Sequence, residues 1–428
     1  MKELSIFEFI NQCVTNSSAL ICGNGFSMNF DDDFGNIYDR LYASHKELVH
    51  NSEYEVKSNK KFTKKCLDNY KGVIQHLRNI SESNLHKVFA DGLIFAESIK
   101  NNKQLIDDLR KKGYITELVF GISQIDIVNQ MCDVGMKKGI RYVNIEFWTI
   151  LIYFYFAIKK LSPQYYSFPS NNLFLTVVNT GDRSKILLIS DEDDIYQSIL
   201  FNGFSTYYRL LFSIAIFSKG KALELNKLEN IANLDIEKIK DFLMMFGSLI
   251  SLNYDKIMEN IAGTSVEHFH GQFIRNKEYV YYQSLGLNYD KGYISFSDLM
   301  LGDYFTFKTL LPVINNLSRG GINKDSLRFS DKMDNLIKNN SINNVVIFGM
   351  NIENDQHVLR NLMLGFYNAR QQAPHIIYCY FTNEEKESFK QQFDAVITFS
   401  KEVSEYACNI DVSFIKTQDL LKEYFYKS

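Results

Sequence analysis

The 428-residue chain holds six cysteines (Cys13, Cys22, Cys66, Cys132, Cys379 and Cys408) but no Cys-x-x-Cys pair. That absence argues against a thiolate zinc site and a disulfide framework, and leaves reduced thiols in a reducing cytosol. Net charge is almost absent as well, with 47 Lys+Arg against 50 Asp+Glu, a balance of −3. A protein that grips duplex nucleic acid by its phosphates carries a basic excess or face, so no direct nucleic-acid partner is expected. The one lysine cluster, 57–65, reads as a solvated face. No long hydrophobic run occurs either. The longest, Phe147–Ile158, falls short of the about 20 residues that a membrane-spanning helix requires. It reads as a buried core helix. The first residues lack a signal peptide's apolar core and cleavage site. A soluble, cytoplasmic protein without membrane contact is expected.

Prolines number only four, at 163, 169, 312 and 374, so long helices are permitted. What is plentiful is apolar material, 46% hydrophobic and 14% aromatic, enough for a large core. The pattern predicts a helix over 3–15, a strand over 18–22 and a helix over 36–49. Residues 50–162 carry helical periodicity, with a break at Pro163 and Pro169. Two apolar runs, Leu173–Val178 and Ile186–Ile189, joined by Asn179-Thr-Gly-Asp182, predict a hairpin. Helices are expected again over 194–246. Short apolar runs follow at 248–252, 266–269, 344–348, 375–381, 395–399 and 412–415, and the later ones alternate with helical stretches. Such alternation predicts an α/β fold with a parallel sheet covered by helices on both faces. The expected division is 1–45 plus 244–428 in one domain, with 46–243 as a mainly helical insertion.

Four polar stretches sit at predicted strand ends. In Ser18–Phe30, SALICGNGFSMNF, an apolar run stops on Gly23-Asn24-Gly25 and continues Phe26-Ser27. A turn of this kind lets backbone N–H groups approach an anion, although a purely structural turn fits as well, and Met28 stands where a dinucleotide fingerprint has its third glycine. Asn253-Tyr254-Asp255 follows another apolar run. There an Asn can orient a water or an amide and an Asp can accept a ribose hydroxyl, with a helix-capping turn as the alternative. In Val266–Gly271, strand alternation would place His268 and His270 on one face. They would be metal ligands together with Asp255, or, more economically, His270 is a single base. The last stretch is Phe348–Asp355, a strand that stops on Gly349 with Asn and acids opening a helix, where Asn351 or Asn354 would serve as a structural cap.

In order and chemistry these stretches resemble the sirtuin superfamily, and within it the bacterial sirtuin-like NADases of anti-phage defence. The residues that carry the resemblance are Gly23, Asn24, Gly25, Phe26 and Ser27, then Asn253 and Asp255, then His270-Gly271, then Gly349 with Asn351. Asn253 and His270 stand 17 residues apart, similar to sirtuins. The resemblance covers 1–45 and 244–428 and none of the block between. It implies a Rossmann-like, sirtuin-like sheet that binds NAD+ as substrate, and hydrolysis of the nicotinamide–ribose bond to nicotinamide and ADP-ribose without a metal. Asn253 would position the water or the carboxamide, His270 would be the base, and Asp255 would contact the ribose. The glycine loop with Gly349 and Asn351 would hold the dinucleotide. On this reading Gly25→Trp abolishes NAD binding without unfolding the chain.

Depletion of NAD+ in abortive infection implies control, by homo-oligomerisation or by a partner subunit such as a ring ATPase or a nucleotide-sensing, inosine-triphosphate-pyrophosphatase-like protein. Two alternatives stay open: an NAD-dependent protein deacylase, against which the missing zinc cysteines count, and a non-catalytic sensor of NAD or ADP-ribose.

Overall fold

The computed structural model describes residues 1–50, 54–57, 63–119, 122–182, 195, 198–199, 201–275, 284–289, 292–296, 329–397 and 401–427. The chain divides into two compact units. One comprises Met1–Gly35, Phe217–Gln272 and Lys324–Ser428, the other Asn36–Ile216 and Phe273–Asn323. These borders differ from the expected 1–45 plus 244–428, for reasons of packing. The helix Ile236–Met244 buries Ile239, Phe242 and Leu243 in the core of the first unit. The strands Phe273–Arg275, Ser284–Tyr289 and Gly292–Phe296 instead join Tyr54–Lys57 in a four-stranded antiparallel sheet of the second.

The first unit is built on seven strands: β1 (Lys2–Glu3), β2 (Ser18–Cys22), β3 (Ser248–Ser251), β4 (Glu267–His268), β5 (Asn344–Phe348), β6 (His375–Tyr380) and β7 (Asp411–Lys416). They form one all-parallel sheet in the order β1-β7-β6-β5-β2-β3-β4. Every residue of β2, β3 and β5 is buried, as a sheet covered on both faces requires. Alternation then divides the side chains. Ala19, Ile21, Val345 and Ile347 enter one core, together with the helix Gln356–Ala369. Leu20, Cys22, Val346 and Phe348 enter the other, with the helices Ile6–Thr15 and Ile236–Met244.

From β2 the chain steps outward to β3 and β4, returns to β5 on the other side, and proceeds to β6 and β7. This is the doubly wound order, and it places the reversal between β2 and β5, where open α/β sheets form their ligand crevice. A Rossmann-like α/β architecture follows.

Three segments differ from the sequence reading. Glu3 belongs to an edge strand, and the first helix begins at Ile6 behind a capping box, in which Ser5 N–H donates to Glu8 Oε2 at 2.9 Å. Leu173–Thr180 is a helix rather than a hairpin strand. A short apolar run is ambiguous by periodicity, and Asn172 decides it by accepting from Leu175 N–H at 2.9 Å. The other proposed hairpin arm, Ile186–Ile189, lies outside the described residues. Ala395–Ile397 ends the helix Asn383–Ile397, whose Phe389, Phe393 and Val396 are buried at helical spacing; residues 398–399 of that expected strand lie outside the described residues.

In the second unit the run read as a buried core helix is one: within Thr149–Leu161 every residue from Thr149 to Ile158 is buried. Among the described residues no helix is long and apolar enough to cross a membrane. Cys13, Cys22, Cys132 and Cys379 are buried free thiols, and burial pushes Cys13 up to about 12.

Candidate functional site at the carboxyl edge of the sheet

At the β2/β5 reversal the two glycine turns interlock. Gly23 N–H donates to Phe348 O at 3.0 Å and Gly25 N–H to Gly349 O at 2.8 Å. A Cβ on Gly23 would lie 2.6 Å from Gly349 O, and one on Gly25 2.7 Å from Gly349 Cα. Gly349 has φ +63°, and its own Cβ would lie 2.7 Å from Phe26 N. All three glycines are therefore demanded by the approach of one backbone to another. Phe26 turns inward, edge-on to Phe348 and Phe425. Asn24 is exposed and donates to Phe34 O at 2.6 Å, while Asn351, also exposed, accepts from Glu353 N–H at 3.0 Å. Asp31, within the Asp31–Asp33 run, is buried and paired with Lys221 at 2.7 Å.

Ser27, Asn253 and Asp255 meet behind this turn. Asn253 Nδ2 donates to Gly23 O at 3.0 Å and to Ser27 Oγ at 2.8 Å, and Ser27 Oγ donates to Asp255 Oδ2 at 2.6 Å. A backbone carbonyl can only accept, so the bond to Gly23 fixes which amide atom of Asn253 is the nitrogen. Its Oδ1 receives no hydrogen bond from any described residue, and the residue is only partly buried. Asp255 has no such freedom. It is buried, and its second oxygen accepts from Ile257 N–H at 3.1 Å. Burial raises its pKa against the pull of Ser27, Ile257 and His268. The carboxylate expected at the ribose is thus occupied inside the protein.

His268 and His270 part company. His268 Nδ1 bonds Asn253 O at 2.8 Å and its Nε2 bonds Glu259 Oε1 at 2.6 Å, where Lys256 also donates at 2.8 Å. Burial pushes Glu259 upward, but His268 and Lys256 outweigh it and hold the carboxyl below its ordinary value. The strand ends at His268, so alternation no longer governs His270. Its Nε2 lies 3.0 Å from His357 Nε2, with the rings stacked at 5.1 Å. Asp355 completes a cluster in which one donor atom of each side chain lies within 4.8 Å of the others. Burial holds His270 well below the usual histidine range, with His357 adding to it. It also lowers His357 to about 3, with help from Arg360, and raises Asp355 to about 7.

The sheet edge thus gathers the glycine loop, Ser27, Asn253, Asp255 and Gly349 into one constellation, and His270 into a second with partners the sequence reading passed over. Glu259 carried no signal there beyond that of an ordinary helical acid. Asp355 closes the fourth stretch, Phe348–Asp355, and His357 stands two residues beyond it in an Asp-x-His run.

The fold and this edge define a Rossmann-like α/β protein with a polar constellation at its topological switch point. No family model, curated protein or solved structure matches the chain.

Proposed function

We propose that the chain binds NAD+ at the β2/β5 crevice and hydrolyses the nicotinamide–ribose bond to nicotinamide and ADP-ribose, as a sirtuin-like NADase of anti-phage defence would. The observation that supports this best is Asn253: its Nδ2 is pinned to Gly23 O and Ser27 Oγ, which leaves Oδ1 to accept from a ligand. Nicotinamide leaves as a neutral group through an oxocarbenium-like state, so no acid need protonate it, in contrast to a two-carboxylate glycosidase. What the site must do is orient a water or the carboxamide, and the Oδ1 of Asn253 does so. Asp255 acts through Ser27, by holding the hydroxyl that anchors Asn253. His270, kept uncharged by burial, is the base toward water or a ribose hydroxyl.

Control would come from a homo-oligomer or a partner subunit, a ring ATPase or nucleotide-sensing protein, in the cytoplasm. The test is nicotinamide release from NAD+ by the purified chain, alone and with the product of the neighbouring gene, beside Asn253→Ala. Turnover lost in the variant supports the reading. NAD binding without turnover in either condition replaces it with the sensor. Turnover only in the presence of an acyl-lysine peptide replaces it with the deacylase.

A further inference from the structure

We propose that His270, Asp355 and His357 form a binding site for one divalent transition-metal ion, with two imidazole nitrogens and one carboxylate oxygen as ligands. Three features carry this, and none depends on the NAD reading. The first is convergence. His270 follows β4, whereas Asp355 and His357 open the helix Gln356–Ala369, and 87 residues separate the two histidines. Chain proximity does not bring His270 to the pair, yet one donor atom from each of the three lies within 4.8 Å of the others.

The second is spacing. Metal–nitrogen bonds of about 2.0–2.1 Å set neighbouring donors about 3 Å apart at right angles and about 3.4 Å apart at the tetrahedral angle. The two Nε2 atoms are 3.0 Å apart, so they need little movement to share an ion.

The third is Asp355. It occupies the N-cap of its helix, where an aspartate ordinarily accepts from the second or third N–H. Its carboxylate makes no such bond, and among the described residues none donates to it. A carboxylate that neither caps its helix nor pairs with a cation, and that is drawn up beside two buried imidazoles, has the disposition of a ligand. Two histidines and one carboxylate with further positions open suit zinc or ferrous iron rather than magnesium or calcium, which prefer oxygen. An ion here would use His270 as a ligand.

The experiment strips the full chain with a chelator and titrates it with Co2+, reading visible absorption and metal per chain. Expected are one ion per chain, d–d bands of a nitrogen- and oxygen-ligated cobalt, and displacement by Zn2+. Asp355→Asn and His357→Gln, each nearly isosteric and each checked for native circular dichroism, should bind at least as weakly as proteins that have lost an outer-shell partner, about 10–100-fold. Absence of cobalt bands, or equal affinity in both folded variants, overturns the site. Loss of NAD turnover does not enter the readout, so failure of the functional proposal and failure of the metal site are separate results.

Discussion

Gly25 and Gly349 touch: the Gly25 N–H donates to Gly349 O at 2.8 Å, and a Cβ on Gly25 would lie 2.7 Å from Gly349 Cα. The glycine loop is closed against its neighbour before any ligand arrives. Gly25→Trp therefore cannot serve as a clean binding knock-out, because its first side-chain atom already meets backbone. Gly349→Ala carries the same clash and a left-handed φ as well, and should cost about 2 kcal/mol or more. Thermal unfolding of the two variants measures this. Unchanged melting temperatures would mean the two turns are not packed as described.

Ser27 links two groups that have few other options. Removing its hydroxyl in Ser27→Ala takes the donor from buried Asp255 Oδ2 and the acceptor from Asn253 Nδ2. Leaving a buried polar group unmet costs about 1–3 kcal/mol, so denaturant unfolding should move by that much. Ser27→Thr, which keeps the hydroxyl, should lose less. Equal losses would point to volume rather than hydrogen bonding.

Asn253 separates anchoring from chemistry. Asn253→Asp keeps the shape but replaces the donor to Gly23 O with an acceptor, and Asn253→Ala removes both functions. If Oδ1 orients the water or carboxamide, nicotinamide release should fall by about 10²–10³-fold in Asn253→Ala, the scale of losing one aligned polar group in an active site. A change confined to KM would assign Asn253 to ground-state binding alone.

His45 offers a pH test in the second unit. It is buried, its Nδ1 lies 2.8 Å from Tyr207 Oη, and burial lowers it to about 4. Between an unfolded value near 6.5 and that folded value, the unfolded chain binds a proton that the native chain refuses. Stability is therefore full above the unfolded value and is lost as pH falls through this window, by at most about 1.4 kcal/mol per pH unit. His45→Gln should flatten the decline in melting temperature between pH 6.5 and 4. A parallel decline would place the acid sensitivity elsewhere.

Much of the sheet was legible because β2, β5 and β6 are continuous apolar runs that stop at polar or glycine residues and alternate with helical stretches. The constellation of Gly23, Ser27, Asn253, Asp255 and Gly349 was legible for the same reason: strand ends of a parallel sheet share one edge. Leu173–Thr180 was not, since one asparagine cap outweighed β-type composition. Nor were the partners of His270 and His268. Glu259 and His357 look like ordinary helix residues until the fold brings them to a ring nitrogen, and no local periodicity encodes that meeting.

His270 also lets the two proposals be tested against each other. An imidazole nitrogen that ligates a metal has no lone pair left for a proton, so the His270 Nε2, 3.0 Å from His357 Nε2, cannot hold an ion and act as the base at once. Chelator-treated protein should then release nicotinamide, zinc-loaded protein should release at least tenfold less, and renewed chelation should restore the rate. His357→Gln, which weakens the metal site while retaining His270, should become insensitive to zinc. A zinc-loaded protein that turns over faster than the stripped one would remove His270 from the role of base.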